Sequence, residues 1–330
     1  DLLGHPLVEE ADIIHLHWIN QGFLSLRDIE RLVKLNKPIV WTMHDMWPCT
    51  GICHHARDCE KFQTECESCF FLKSKGKDLS TSVFDKKMSL YKDANITFVG
   101  CSRWLSGRAK KSYLLRGKAV LSIPNPIDTK VYHPMDQGMA RELLGLPSGK
   151  RLLLFGALNV TDKRKGIDYL IEALRRMEKQ DVELVVFGQV KDDIRGLFPV
   201  PIHSMGYLSD ESKIVALYNA VDMFITSSLE ENLPNTIMES MACGTPCVGF
   251  EIGGIPEMID HRVNGYVANY KDAGDLANGI QWVLEHEDRL ALSDACVKKV
   301  QENYTEEVVA KQYTACLLYT SPSPRDGLLS

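Results

Sequence analysis

The sequence predicts an α/β protein of two Rossmann-like domains, and three observations carry that expectation. Short apolar runs alternate with stretches of helical periodicity over most of the 330 residues, which is how parallel strands joined by crossover helices read. The alternation is interrupted once, by turn-rich Asn125-Pro126-Ile127-Asp128 to Met135, and then starts afresh. The 45% apolar content and net charge of −6 suit a chain with two real cores and mark neither a disordered, a membrane-spanning nor a generally nucleic-acid-binding protein. Neither Gly-x-Gly-x-x-Gly nor a Walker A sequence occurs, so dehydrogenase and P-loop ATPase readings lose their main support.

In chain order, Ala11 to Trp18 reads as an interior-type strand, Ser25 to Asn36 as a helix with Ser25 and Asp28 at its start, and Pro38 to Met43 as a second strand. Helical patterns at Phe84 to Asp93 and Arg103 to Leu115 then alternate with strands at Asn95 to Gly100 and Ala119 to Ile123. After the linker come strands at Arg151 to Leu158, Val182 to Gln189, Met223 to Ser228, Thr245 to Phe250 and Gly265 to Asn269. The expected domains are therefore 1–135, with a cysteine-rich insert at 49–69, and 136–315. The segment from Cys316 to Ser330, CLLYTSPSPRDGLLS, departs from the helical pattern of Thr305 to Ala315 and resembles a translated sequencing adapter, so 316–330 is expected to be a non-native tail.

The most informative stretch runs from Ser227 to Glu257, SSLEENLPNTIMESMACGTPCVGFEIGGIPE. Pro234 favours a first helical turn and Gly244 a left-handed stop, which predicts a helix over Leu233 to Cys243. Its free N-terminal amides attract anions, and a side chain within a helix leans back toward that end, bringing Glu239 near whatever binds there. Glu231, in the loop just ahead, reaches the same place from the other side.

The Glu-x7-Glu pattern of Glu231 and Glu239, followed by Met-Ala-Cys-Gly-Thr-Pro and Gly253-Gly254-Ile255-Pro256-Glu257, resembles the donor-binding half of family 4 retaining glycosyltransferases of GT-B fold. The resemblance implies two Rossmann-like domains with a cleft between them and an N-terminal domain that is truncated here. It implies a bacterial surface-polysaccharide enzyme that moves a sugar from a UDP- or GDP-sugar donor to a glycan or lipid-linked acceptor. By position, Lys165 in Lys163-Arg164-Lys165-Gly166 corresponds to the family's phosphate-binding lysine, with Arg164 as a helper, and Gly156 to the preceding glycine. Ala157 stands where many relatives carry an arginine, which leaves a second phosphate cation unassigned. Gly188, ending the next strand, and Tyr207 join the implied donor-binding set, Gly206-Tyr207-Leu208 resembling the turn whose backbone meets the nucleobase; either could equally be a tight turn and no more. Asn232, Leu233, Pro234 and Asn235 surround the phosphate end, with Glu231 on hydroxyls of the donor sugar and Glu239 on the ribose. His44, closing the strand Ile39 to Met43, corresponds to a cleft histidine that holds the donor sugar or its phosphate, whereas His15 and His17 are expected to pack. Asn125 corresponds to a hinge.

The implied reaction proceeds with retention, the departing phosphate taking up the acceptor's proton, and its catalytic set is Lys165, Glu231 and His44. No Asp-x-Asp triplet occurs, and no catalytic metal is expected. A nucleotide-sugar epimerase of the same fold, or an inactive donor-binding fragment, is the alternative.

Two further features stand outside that scheme. Cys53, Cys59, Cys66 and Cys69 lie within seventeen residues, with Cys49, His54 and His55 nearby. A structural zinc is the expectation, ahead of buried free thiols or a disulfide pair, with an iron-sulfur cluster last. From Phe70 to Val120 there are twelve Lys or Arg against three Asp, and Arg103 to Lys118 combines Trp104, Leu105, Leu114 and Leu115 with six cations. That segment reads either as a crossover helix with a solvated basic face or as a contact with an anionic membrane. The expected location is cytoplasmic, with peripheral contact on the inner face of the cytoplasmic membrane as the further possibility. No nucleic-acid partner is expected.

Overall fold

The computed structural model describes residues 4–159, 162–177, 181–189 and 195–320. The chain divides into two compact units, one formed by residues up to Pro124 together with those from Ala310 onward, the other by Asn125–Val309.

In the first unit, α1 (Pro6–Glu10), β1 (Ile14–Leu16), α2 (Leu26–Val33), β2 (Ile39–Met43), α3 (Leu79–Tyr91), β3 (Ile96–Gly100), α4 (Arg103–Lys111) and β4 (Ala119–Ser122) follow one another. The strands form a parallel sheet in the order β1-β2-β3-β4. Every residue of β2, IVWTM, and β3, ITFVG, is buried, as expected of central parallel strands covered on both faces. Ser25 starts α2 with a capping box in which its hydroxyl and the Asp28 carboxylate each accept from the other's backbone N–H. Asp78 caps α3 in the same way, which is why this helix begins five residues before the expected Phe84. A local polar cap outweighs an apolar pattern that becomes clear only later.

The loop after β2 is held from inside. Lys87 of α3 is fully buried, and its ammonium donates to the carbonyls of Trp47, Thr50 and Gly51 at 2.5, 3.0 and 3.1 Å. It also lies 3.4 Å from the Trp47 ring centre. Tyr91 donates to Pro48 O at 3.2 Å and Ser112 to Cys49 O at 2.7 Å. Three side chains thus satisfy carbonyls that no strand pairs.

The second unit contains α5 (Gln137–Leu144), β5 (Arg151–Asn159), α6 (Ile167–Arg176), β6 (Val182–Gln189), β7 (Ile202–Gly206), α7 (Glu211–Ala220), β8 (Met223–Thr226), α8 (Asn235–Ala242), β9 (Cys247–Phe250), α9 (Ile255–Met258), β10 (Gly265–Ala268), α10 (Ala273–Leu284) and α11 (Arg289–Asn303). Its parallel sheet has the order β10-β9-β8-β5-β6-β7. Leu153, Ile225, Val248 and Phe250 from the strands and Leu170, Leu276 and Ile280 from α6 and α10 share one buried core. Each such side chain contributes about 1.5–3 kcal/mol by leaving water. At the opposite edge from the strands' C-terminal ends, the buried Asp222 carboxylate accepts from Leu152 N at 2.7 Å, Arg289 at 2.7 Å and Arg141 at 3.1 Å. That cluster pins β5, α5 and α11 to the start of β8.

The last helix, α12 (Glu306–Thr320), carries the chain back to the first unit. Tyr313 shares a 2.8 Å hydrogen bond with Thr42 of β2, and Cys316 is buried. The expected boundaries are corrected accordingly. The first unit ends at Pro124 rather than residue 135, and helix continues through Cys316 to Thr320 instead of breaking off, with Tyr313 and Cys316 turned inward and Leu318 and Tyr319 exposed. Residues 321–330 of the expected tail lie outside the described residues.

Candidate active site

Chain order in the second sheet reverses between β5 and β8, since β5 is followed outward by β6 and β7 while β8 leads to β9 and β10. Loops leaving the C-terminal ends of two such strands diverge and open a crevice, the usual ligand position in open α/β sheets. The loop after β5 carries Lys163–Lys165 as a single tight turn capped by Asp162, and the loop after β8 carries Ser227 to Pro234. Their side chains meet: Lys165 Nζ lies 2.5 Å from Glu231 Oε1. The pair is partly open, with 32% of the lysine side chain and 15% of the glutamate side chain exposed.

The two loops are also tied through their backbones. Leu229 N donates to Arg164 O at 2.7 Å, and the Ser227 hydroxyl to Lys165 O at 2.9 Å. Gly166 and Gly253 make this closeness possible. Both have left-handed φ, +64° and +58°, and a Cβ at either would stand 2.0 Å from Ser227 O or 1.9 Å from Glu231 O. Gly254 N donates to Asn232 O at 2.5 Å from the far side. The Glu231 loop is therefore clamped between two glycine turns, and its carboxylate is aimed by backbone rather than by side-chain packing.

Helix α8 begins two residues later than expected, because Leu233 and Pro234 remain in the loop, Pro234 as the N-cap with ψ of 117°. No side chain caps it, and Ile237 N donates to Pro234 O at 3.1 Å in its first turn. Asn125 Nδ2 donates to Asn235 Oδ1 at 3.3 Å across the start of this helix. Glu239 lies one turn further on. Burial pushes its carboxyl pKa up, opposed by a 2.7 Å hydrogen bond donated by the Tyr218 hydroxyl to Oε2.

The remaining expected positions fare differently. Arg164 is paired with Asp162 in its own turn, its Nη2 2.6 Å from the carboxylate, with most of its side chain exposed. Gly156 lies in β5, where a Cβ would fall 1.9 Å from the Phe187 ring; strand packing accounts for this glycine. Gly188 sits near the end of β6 with φ of +121°, and Tyr207, just after β7, is 61% exposed. Asn232 and Leu233 are buried under the loop they belong to.

His44 lies in the first unit, at the C-terminal end of β2. Its Nε2 is 3.2 Å from His17 Nδ1, and burial and the neighbouring His17 both lower its pKa, with Asp45 opposing. The expectation that His15 and His17 merely pack is corrected. Both are exposed, His15 Nε2 shares a 2.8 Å hydrogen bond with Thr42, and burial with two neighbouring imidazoles pushes the His15 pKa down to about 4. Asp45 binds the Trp18 indole N–H at 2.9 Å, His54 Nδ1 at 2.6 Å and Trp47 N at 2.7 Å. Three imidazoles thus line the ends of adjacent parallel strands.

In the cysteine insert, no group of three or more His, Cys, Asp or Glu side chains among the described residues is disposed to hold a metal ion; zinc at Cys53, Cys59, Cys66 and Cys69 stays a proposal. All are free thiols. Cys66 accepts from Gly51 N at 3.3 Å, and burial raises its pKa to about 11 and that of Cys49 to about 12. The buried Lys87 ammonium and Phe62 order the loop where the clip was expected. In the basic segment, Leu105, Leu114 and Leu115 are buried and Trp104 is part-exposed. Among the described residues no helix is long and apolar enough to cross a membrane.

Spacing alone did not reveal Tyr218, which stands twenty-one residues before its partner Glu239 and becomes adjacent only because α7 and α8 flank the same strand. The histidine pair was hidden for the same reason, His17 and His44 being brought together by parallel pairing of β1 with β2.

Comparison with known proteins bears on the second unit above all. Residues 149–286 match the family described as Glycosyl transferases group 1. Over 202 residues the chain is 25% identical to N-acetyl-alpha-D-glucosaminyl L-malate synthase of Bacillus anthracis, covering 59% of this chain and 52% of that protein. It is 27% identical over 182 residues to the amylovoran biosynthesis glycosyltransferase AmsK of Erwinia amylovora, covering 50% and 44%. The chain thus spans about half the length of the curated relatives it matches. Among solved structures, Anabaena HepE in complex with UDP superposes with a TM-score of 0.72 at 19% identity, over 96% of this chain and 84% of that one. That likeness shows the fold, GT-B.

Proposed function

Since residues 149–286 form a group 1 glycosyl transferase domain, we propose that this domain holds a UDP- or GDP-sugar. On this proposal the whole protein transfers the sugar, with retention at the anomeric carbon, to a glycan or lipid-linked acceptor in polysaccharide biosynthesis. The observation that carries the reading is the contact of Lys165 with Glu231 at the strand-order reversal. A ligand that meets one of these groups meets the other, and a diphosphate bonded to a sugar supplies an anion for the lysine and hydroxyls for the carboxylate. The uncapped start of α8 adds amide donors for the same anion. A relative named for amylovoran biosynthesis and a structural neighbour with UDP bound agree with that assignment.

In this reading the chemistry asks little of acid-base groups. The diphosphate leaves once its developing charge is met, and Lys165 with the α8 amides meets it in a site whose donors are already in place. Glu231 orients the sugar, and the ion pair it makes with Lys165 opens as the phosphate takes the ammonium. No residue is assigned to a catalytic metal. Calorimetric titration with UDP and GDP tests the site: binding is expected, and Lys165→Ala or Glu231→Gln should weaken a sugar nucleotide by about tenfold or more, the scale of one charge-assisted contact. Folded protein that binds neither nucleotide would remove the assignment. Product NMR of the anomeric proton, with donor and acceptor present, distinguishes retention from inversion, and conversion of donor without acceptor would mark an epimerase.

A further inference from the structure

Glu239 is half-occupied. Its Oε2 accepts the Tyr218 hydroxyl at 2.7 Å, while Oε1 accepts from no described residue and still reaches solvent, since it is absent from the buried polar atoms that lack a partner. A carboxylate held in this way has one oxygen fixed and one presented. The fixing group is itself immobile. The Tyr218 ring is 1% exposed and stands edge-on to Phe187 and Phe224, centroids 6.2 and 6.1 Å away. Its carbonyl accepts from Thr245 Oγ1 at 2.7 Å, so neither its backbone nor its ring can follow a rotation of Glu239.

From this geometry we infer that Tyr218 is a positioning residue for ribose recognition: it locks the Glu239 rotamer so that Oε1 alone is offered to the ribose hydroxyls, and so sets discrimination between ribo- and deoxyribonucleotide donors. The inference rests on the donor-site reading above, extended to place the donor's ribose at the open oxygen of Glu239. Burial strongly raises the Tyr218 pKa, so the hydroxyl stays a donor at every working pH. That bond also favours the ionised form of Glu239 against its own burial and the nearby Glu211. Without the hydroxyl, the carboxylate loses both its orientation and part of its charge preference. Hydroxyl-dependent affinity should fall, while contacts to phosphate and base should remain.

The test compares UDP with 2′,3′-dideoxy-UDP by calorimetry, or GDP with its dideoxy analogue if GDP binds tighter. Wild type is expected to prefer the ribonucleotide by about tenfold or more. Tyr218→Phe should weaken the ribonucleotide by about tenfold and leave the dideoxy analogue within about twofold, so that the preference collapses. A merely structural tyrosine would weaken both analogues equally, and that result overturns the inference, as would a variant with its preference intact. Wild type that binds both analogues equally overturns it too, without touching the phosphate part of the site. Wild type that binds neither nucleotide removes the donor-site reading and the inference with it. Should Tyr218→Phe fail to fold, 3-fluorotyrosine introduced at position 218 keeps the ring and makes a stronger donor. The preference must then rise, and an unchanged ratio would be fatal.

Discussion

Single residues separate the roles that the sequence had grouped. Lys165 and Arg164 are adjacent cations, yet one contacts Glu231 and the other Asp162, so on the proposed function Lys165 is the one expected to follow charge onto a departing diphosphate. In the full enzyme Lys165→Ala should lower kcat by about 10²-fold or more, whereas Arg164→Ala should change it less than about threefold; steady-state kinetics on folded variants checks both. Lys87 illustrates the opposite case, a charge with no part in chemistry. Replacing it by Met removes the Lys87 donor from the carbonyls of Thr50 and Gly51 and leaves Trp47 O only its bond from Thr50 N, and a loss on the order of 3 kcal/mol is expected in urea unfolding. The Cys49 thiol supplies a pH signature. Its pKa is raised to about 12 by burial, above the unfolded value near 8.5. Its contribution is therefore complete below about pH 8.5 and lost progressively as pH rises toward about 12, by up to about 1.4 kcal/mol per unit. Unfolding curves at pH 7.5, 9 and 10 should converge toward those of Cys49→Ala, which lacks that slope.

At the level of elements, strands were the most legible part of the sequence. The β2, β3 and β9 runs are wholly buried and almost wholly apolar because both their faces are covered, and such a run needs no neighbour to be read. The β7 run, Ile-His-Ser-Met-Gly, was not foreseen: it is a sheet edge, half-exposed, and polar residues are tolerated there. Helix starts depended on caps, and Ser25 was visible where Asp78 was overlooked. The site was legible where one segment held it all, as in Glu231 and Glu239, and illegible where two elements had to meet, as with Tyr218 or the histidine pair. The clamp on the Glu231 loop is the element-scale device most open to trial. Gly253→Ala forces a left-handed residue and a clash with Glu231 O. It should cost about 1–3 kcal/mol of stability and weaken sugar-nucleotide binding by about tenfold or more, read by thermal melting and calorimetry together. A variant with lowered melting temperature but normal affinity would show that the clamp serves only the fold.

For the molecule as a whole, the boundary at Pro124 and the return at Ala310 mean that sequence order and folding units do not coincide. A composition shift could announce the linker, but nothing local could announce that a terminal helix belongs with the opening sheet, since that membership is decided by the surface it covers. A chain ending at Val309 should therefore lose stability in the first unit, with Tyr313 no longer bonded to Thr42, while the second unit melts as before. Tryptophan fluorescence can tell them apart, because Trp18, Trp41, Trp47 and Trp104 lie in the first unit and Trp282 in the second. The same layout bears on how the protein emerges from the ribosome. At about 5–20 residues per second, the opening sheet leaves the exit tunnel many seconds before α12 exists. It must wait with the Thr42 side of β2 uncovered while the second unit is made and folds ahead of it. Chaperone occupancy during translation should accordingly fall on the first unit, and a stop codon placed ahead of α12 would damage a unit most of which has already been translated.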